Sequence, residues 1–299
     1  MKVISIVIPN FNSGHLLKKN LPKLINLLNK SKLKYEIIVT DDASTDNSLL
    51  EIRNLELVII TSNKNTGFGG NVDRGIRQAK GEIVFIINAI DALPRDETYF
   101  NLLLKHFENP KVFSVGATKF DVQNHGCGNI FFRKGYFFHQ RNNGPKPLTA
   151  WADGGAQALR KDYYFKIGGF DPIYKFYWED VDLGYRAWKA GYEVHFEQKA
   201  VLLHKKEHGP ISRFYSEKQT RIMSLRNQMI FTWKNADFLF LVSCNLYSLY
   251  YIGVALKNFD GDWFWAYFQA VTHLPKIFYR RYEQKKVAKK SDWELLKII

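Results

Sequence analysis

Cysteine is almost missing from this sequence. The 299 residues hold two, Cys127 and Cys244, far apart and with no cysteine or histidine at zinc-finger spacing. That excludes a disulfide scaffold and a structural zinc module, and it fits a reducing compartment. A secretory leader is lacking as well: residues 1–5 run straight into a strand-like segment without a charged n-region, an apolar h-region or a cleavage site. The expected location is the cytoplasm. Acidic residues are scarce beside basic ones, 29 against 43, which leaves a formal charge of +14. Such a surplus calls for a polyanion, an anionic substrate or an anionic membrane. No RNP, KH or zinc-finger pattern accompanies it, so no nucleic-acid partner is expected. With 46% hydrophobic and 24% charged residues, the chain is neither disordered nor of low complexity. Its length suits one large domain or two modest ones.

Residues 3–8 (Val-Ile-Ser-Ile-Val-Ile) form a nearly continuous apolar run ending at Pro9, the pattern of a strand buried on both faces. Residues 16–29 place Leu and Ile at helical spacing, and further short apolar runs follow at 36–39, 57–60 and 83–87. Between the last two, residues 70–80 carry a helical pattern (Val72, Ile76, Ala79), with Gly81 expected as its C-cap. Strand and helix alternating at this spacing predict βαβ units: an α/β fold with a mostly parallel sheet flanked by helices. Ligands of such sheets bind beyond the carboxyl ends of the strands. The segments there are Pro9-Asn10-Phe11-Asn12, Asp41 to Asp46, Asn63 to Gly70 and Asn88 to Pro94, all rich in Asp, Asn or Gly. One polar loop is ordinary turn chemistry. Four in series point to a shared ligand cleft.

The chain resembles family 2 glycosyltransferases of the GT-A type, the group that includes bacterial rhamnosyl- and galactofuranosyltransferases. The resemblance rests on Ser5-Ile6-Val7-Ile8-Pro9-Asn10-Phe11-Asn12, on Val39-Thr40-Asp41-Asp42-Ala43-Ser44-Thr45-Asp46, and on Asn65-Thr66-Gly67-Phe68-Gly69-Gly70-Asn71 followed by Gly75-Ile76. Gly168-Gly169-Phe170-Asp171 and Trp178-Glu179-Asp180-Val181-Asp182-Leu183 complete the ordered set. It covers residues 2–234 and implies a Rossmann-like nucleotide-sugar domain over 1–234. A UDP- or dTDP-sugar donor is implied, contacted by Pro9, Asn10, Asn12, Asp41, Asn65, Gly67, Asn71 and Asp153. A carboxylate such as Asp41 can accept the base's imide N–H; the alternative is a turn or N-cap role, for which Ser44 and Asp46 are better suited. The glycines at 67, 69 and 70 would let backbone approach the ligand, and Asn71 would start a helix whose positive end faces phosphate.

In this family a D-x-D-like motif after the fourth strand holds Mg²⁺ or Mn²⁺ against the diphosphate. Here the segment reads Asn88-Ala89-Ile90-Asp91-Ala92-Leu93-Pro94, so Asp91 takes the last acidic position while Ala89 departs from the pattern. Asn88 would contribute if the register slips by one. His204, after the apolar run 200–203, is the second implied metal ligand, and His208 a lesser one. The resemblance makes Asp180 the base of a direct, inverting displacement, with Glu179 positioning the acceptor and Trp178 stacking on a sugar. Acids at a helix head are also favourable through the helix dipole alone. Asp182 is expected to cap that helix, and residues 151–156 to form a strand flooring the cleft.

Residues 235–299 read as a helical, aromatic-rich, basic extension. Residues 238–256 carry no formal charge between Asp237 and Lys257, but include Ser243, Asn245, Ser248, three tyrosines and Gly253. A helix lying on an anionic membrane surface, a core hairpin and a membrane span all fit. The first implies a protein peripheral on the inner face of the cytoplasmic membrane, acting on a glycan or polyprenyl-linked acceptor. A catalytically silent nucleotide-sugar-binding module and a basic nucleic-acid-binding protein are the alternatives.

Overall fold

In the computed structural model, which describes residues 3–88, 92–120, 124–141, 146–204 and 215–299, the opening apolar run is strand β1 (Ile4–Asn10), buried along its whole length. Its parallel neighbours are β2 (Tyr35–Asp41) and β4 (Ile83–Ile87), and β3 (Val58–Thr61) lies parallel beyond β2. Side chains of a strand alternate between faces. Ile4, Ile6 and Ile8 accordingly enter one apolar cluster while Val7 enters the other, and Ile83, Phe85 and Ile87 are divided from Val84 and Ile86 in the same way. Both faces being covered, nearly every position is apolar, and the run reads as almost continuous, with Ser5 as the buried polar exception inside it.

Helix α1 (Gly14–Ser31) covers one face with Leu17, Leu21, Leu24 and Leu28, spaced to share one helix face. After the short α2 (Ser48–Ile52), α3 (Gly67–Gln78) covers the other face through Val72 and Ile76. Two expectations need correction here. Gly81 is no C-cap: α3 ends at Ala79, whose backbone is already extended, and Gly81 lies where a Cβ would come within 2.8 Å of the Ser5 nitrogen. Asn71 does not start the helix either; the chain turns helical at Gly67, which sits at φ +78°.

Past β4 the sheet continues through β5 (Ala92–Pro94), β6 (Val112–Phe120), β10 (Ala156–Arg160) and β11 (Glu193–His204), in the order β3-β2-β1-β4-β10-β6-β11-β5. β10 runs antiparallel to both β4 and β6, β11 is parallel to β6, and β5 is antiparallel to β11. Helix α4 (Thr98–His106) packs on the α1 face, and the short β7 (Asn124–His125) edges β6. A separate hairpin, β8 (Gly128–Arg133) and β9 (Tyr136–Arg141), stands off the sheet. Residues 151–155, expected as a strand, form a turn instead, and the strand begins only at Ala156.

After the short α5 (Lys161–Lys166), α6 (Glu179–Lys189) and α7 (Glu217–Asn235) are joined by a buried charge network. Lys234, with no exposed surface, bridges Asp171 and Asp182 at 2.7 Å each, and Asp182 also pairs with Arg186 at 2.8 Å. Asp182 is therefore not the expected helix cap; it is the centre of an internal ion cluster tying the Gly-Gly-Phe-Asp turn to two helices. Four helices follow: α8 (Phe238–Lys257), α9 (Gly261–Val271), α10 (Leu274–Lys285) and α11 (Asp292–Leu295). Phe240, Cys244, Trp263, Ile277 and Leu295 from these helices share one buried cluster with Val7 and Val84 of the sheet.

Candidate active site

The carboxyl ends of β1 and β4, the turn before β10 and the head of α6 surround a cleft of about 460 Å³. Pro9, Asn10, Asn65, Gly67 and Asn71 line it on one side, and Asn88, Asp153, Glu179 and Asp180 on the other. The N-terminal half of the fold thus meets the Trp-Glu-Asp segment across one space.

Glu179 and Asp180 are presented by an unusual turn. Tyr177 and Trp178 hold φ values of +63° and +72°, a left-handed conformation costly for bulky residues. Asn227, fully buried on α7, clamps that turn by donating from Nδ2 to the Phe176 and Tyr177 carbonyls at 2.7 and 2.9 Å. The Trp178 ring then points inward, 4.5 Å from the His139 ring and 4.9 Å from that of Phe231. Its expected role as a sugar-stacking surface is therefore corrected: the ring is core. Phe176 and Tyr215, in ring contact at 5.6 Å, are the aromatics that line the cleft near α6, with Phe11 and Phe68 on the opposite side.

The carboxyls differ sharply in proton affinity. Asp153 is held down at about 2 against the effect of burial, by Lys119 and by Arg141, whose Nη2 lies 2.9 Å away. Burial and the Asp153 charge push Asp180 up to about 6, although it accepts from the Val181 and Gly154 backbone at 2.8 and 3.3 Å. Burial and then the Asp180 charge push Glu179 up to about 8, and its Oε2 is buried with no hydrogen-bond partner among the described residues. Burial thus raises both carboxyls of this adjacent pair, Glu179 further than Asp180, so that the pair keeps a proton well above the usual carboxylate range.

The model for glycosyl transferase family 2 matches residues 5–168, more than half of the chain. The chain belongs to that family. Over 100 residues it is 33% identical to the undecaprenyl-phosphate 4-deoxy-4-formamido-L-arabinose transferase of Proteus mirabilis, a match covering 31% of each chain. It is 31% identical over 99 residues to the GalNAc(5)-diNAcBac-PP-undecaprenol beta-1,3-glucosyltransferase of Campylobacter jejuni, again 31% of each. The chain thus spans less than a third of the length of these curated relatives. Two solved structures align over most of both chains. TarS 1-349 of S. aureus in complex with UDP-GlcNAc has a TM-score of 0.58 at 17% identity, covering 95% of this chain and 88% of its own. The Pyrobaculum calidifontis mannosyltransferase PcManGT with GDP-Man and Mn²⁺ has a TM-score of 0.56 at 17% identity, covering 90% and 86%. At that identity the likeness is one of fold.

Within this family 2 scaffold, several expected donor residues brace loops instead of facing the cleft. Asp41 accepts from Asn10 Nδ2 at 2.8 Å and from the Ser44 backbone at 3.0 Å, and it is its neighbour Asp42 that lines the cleft. Asn12, at φ +51°, spends its Oδ1 on Thr45 and Asp46. Asp42 accepts from the Thr66 and Gly67 nitrogens at the head of α3 and pairs with Arg74 at 2.9 Å. The positive end of α3, expected to face phosphate, is already occupied by that carboxylate. Lys175 is the cation among the described lining residues. It follows the Gly-Gly-Phe-Asp motif by four positions, a signal the sequence carries but that motif matching passes over.

Of the expected metal ligands, Asp91 lies outside the described residues, as do Ala89 and His208. Ala92, directly after Asp91, pairs with His204 across β5 and β11. The backbone of His204 thus lies on the sheet edge beside β5. Among the described residues no group of three or more His, Cys, Asp or Glu forms a metal cluster.

Proposed function

We propose that the protein transfers one sugar, with inversion, from a nucleotide-diphosphate sugar to a glycan or lipid-linked saccharide. The observation that carries this reading is the Glu179–Asp180 pair, held by a strained turn at the rim of the cleft, with Glu179 raised further than Asp180. Asp180, ionised above about pH 6, takes the proton of the acceptor hydroxyl as that oxygen attacks the anomeric carbon. Glu179, still protonated, donates a hydrogen bond that orients the acceptor. Displacement is direct, so no residue forms a bond to the sugar. Phe176 and Tyr215 offer the sugar faces an aromatic wall.

The nucleotide lies against the tip of β1. Asn10, its amide fixed by Asp41 and Ser44, keeps Oδ1 buried without a partner, an acceptor for the imide N–H of uracil or thymine. UDP in TarS favours a UDP-sugar over a dTDP-sugar. Lys175 neutralises the diphosphate from one side. Asp91 and His204 would hold Mg²⁺ or Mn²⁺, which supplies positive charge for the leaving group; Mn²⁺ accompanies GDP-Man in PcManGT. The undecaprenyl-linked substrates named for the P. mirabilis and C. jejuni relatives support a reaction at the cytoplasmic face of a membrane.

The test is donor turnover. Wild-type protein should hydrolyse or transfer a UDP-sugar faster with Mn²⁺ than with chelator, and Asp180→Asn should remove that turnover while still binding UDP. Nucleotide-sugar binding with no turnover by the wild type would instead identify a silent binding module.

A further inference from the structure

Helix α8 is apolar on the side the protein does not cover. Its buried stripe is Phe240, Cys244, Ser248 and Ala255. At 3.6 residues per turn, Leu239, Val242, Leu246, Leu249 and Leu256 fall on the opposite side, and all five are exposed. A helix on a soluble surface carries polar residues there. One residue beyond the α8 C-cap, Phe259 is 95% exposed and held at φ +51°, and no packing among the described residues explains a phenylalanine at that turn.

The covered side shows how the helix is oriented. Phe240 meets the Phe132 ring at 4.6 Å, Ser248 bonds the Tyr136 hydroxyl at 3.2 Å, and Tyr251 meets the Tyr136 ring at 5.4 Å, all on the β8–β9 hairpin. A helix fastened to the protein from its first turn to its fourth cannot cross a bilayer without leaving that hairpin. It can sink only sideways.

Charge selects the surface it would sink into. Arg133 and Lys134 are exposed at the hairpin tip, with Lys134 Nζ 5.7 Å from the Tyr250 ring, and Lys257 is exposed at the end of α8. The described acids flanking α8 are ion-paired: Asp237 shares Lys189 with Asp292 at 2.6 Å, Asp260 and Asp262 meet Arg221 at 2.6 and 2.8 Å, and Lys218 lies 3.5 Å from Asp262. A cationic rim around an apolar strip matches anionic headgroups over acyl chains.

We propose that α8 is a monotopic anchor, lying in the plane of an anionic phospholipid bilayer with the Leu239–Leu249 face and Phe259 inserted. This deepens the transfer reading by showing where a lipid-linked acceptor would meet the enzyme. The hairpin that carries α8 ends at Arg141, the partner of Asp153 in the cleft.

The full-length chain is sedimented with vesicles of phosphatidylcholine alone or mixed with phosphatidylglycerol. The wild type should bind the anionic vesicles, weaken with salt, and be released by alkaline carbonate. Leu246→Glu/Leu249→Glu should bind at least about 10-fold more weakly, whereas Leu50→Glu, exposed on α2, should bind like the wild type. Unchanged binding by the double variant would overturn the proposal. So would resistance to carbonate, which marks a span, or a wild-type dimer in solution that the double variant dissolves. Donor turnover is read separately, so vesicle binding by an inactive protein would sink the transfer reading and leave the anchor standing.

Discussion

Two neighbouring carboxyls raised to different extents make pH the most direct probe at the scale of single residues. Asp180 binds its proton up to about pH 6, so kcat/KM should rise through that region and level off above it. Asp180→Asn should lower kcat by about 10²–10⁴-fold across the range. Glu179 yields a stability prediction of definite sign. Its folded-state value, about 8, lies above the ordinary 4.5, so the folded state binds more protons than the unfolded one between those limits. Stability is therefore lost as pH rises from about 4.5 to about 8. Glu179→Gln abolishes this term, and its melting temperature should exceed that of the wild type at pH 8 by more than at pH 5. An identical difference at both pH values would show that burial does not penalise the Glu179 charge.

At the scale of elements, the Tyr177–Trp178 turn has to be paid for by its neighbours, and Asn227 on α7 is the residue that holds it. Asn227→Ala frees both carbonyls and lets the turn relax toward ordinary backbone, moving Asp180 relative to the cleft. The expected result is a kcat reduced by about 10- to 100-fold with the donor KM nearly unchanged, read by steady-state kinetics. A general loss of folding would instead raise KM and lower the melting temperature together. Lys234 belongs to the other class of residue: Lys234→Met removes the ammonium between buried Asp171 and Asp182, leaving Arg186 at 2.8 Å from Asp182 and Arg280 at 3.5 Å from Asp171, at a cost of about 3–5 kcal/mol in denaturant unfolding. Neither residue was legible in the sequence, because these partners lie fifty or more positions away and only tertiary packing selects them. The central strands were legible for the opposite reason, since burial on both faces makes β1 and β4 almost continuously apolar. The ordered motifs located Glu179, Asp180, Asp153 and Asn65 at the cleft, yet misread Trp178, Asp182 and Asp41. An aromatic or an acid inside a motif does not state whether it faces ligand or core.

For the whole molecule, the decisive question is whether residues 1–234 could stand alone. The 234/235 boundary falls in the last turn of α7, and the apolar cluster beneath the sheet runs on through Phe240, Cys244 and Ile277. Helix α6, which carries Glu179 and Asp180 at its head, is anchored toward its tail by the C-terminal region. Lys189 pairs with Asp237 and Asp292 at 2.6 Å each, and Asp292 accepts from the Tyr185 hydroxyl at 2.6 Å. Ending the chain at residue 234 would strip the cover from Tyr185, Phe137 and Phe231, and would leave Lys189 without either acid. Such a fragment should be insoluble, or soluble without cooperative unfolding, and inactive on any donor. Circular dichroism melting and donor hydrolysis check this directly. A milder cut after residue 290 removes residues 291–299, among them Asp292, Trp293 and Leu295, and should lower the melting temperature while leaving the cleft lined by the same residues. If the 1–234 fragment melted cooperatively and turned over donor, α8 to α11 would be an appendage, and the anchoring of α6 through Lys189 would have no bearing on catalysis.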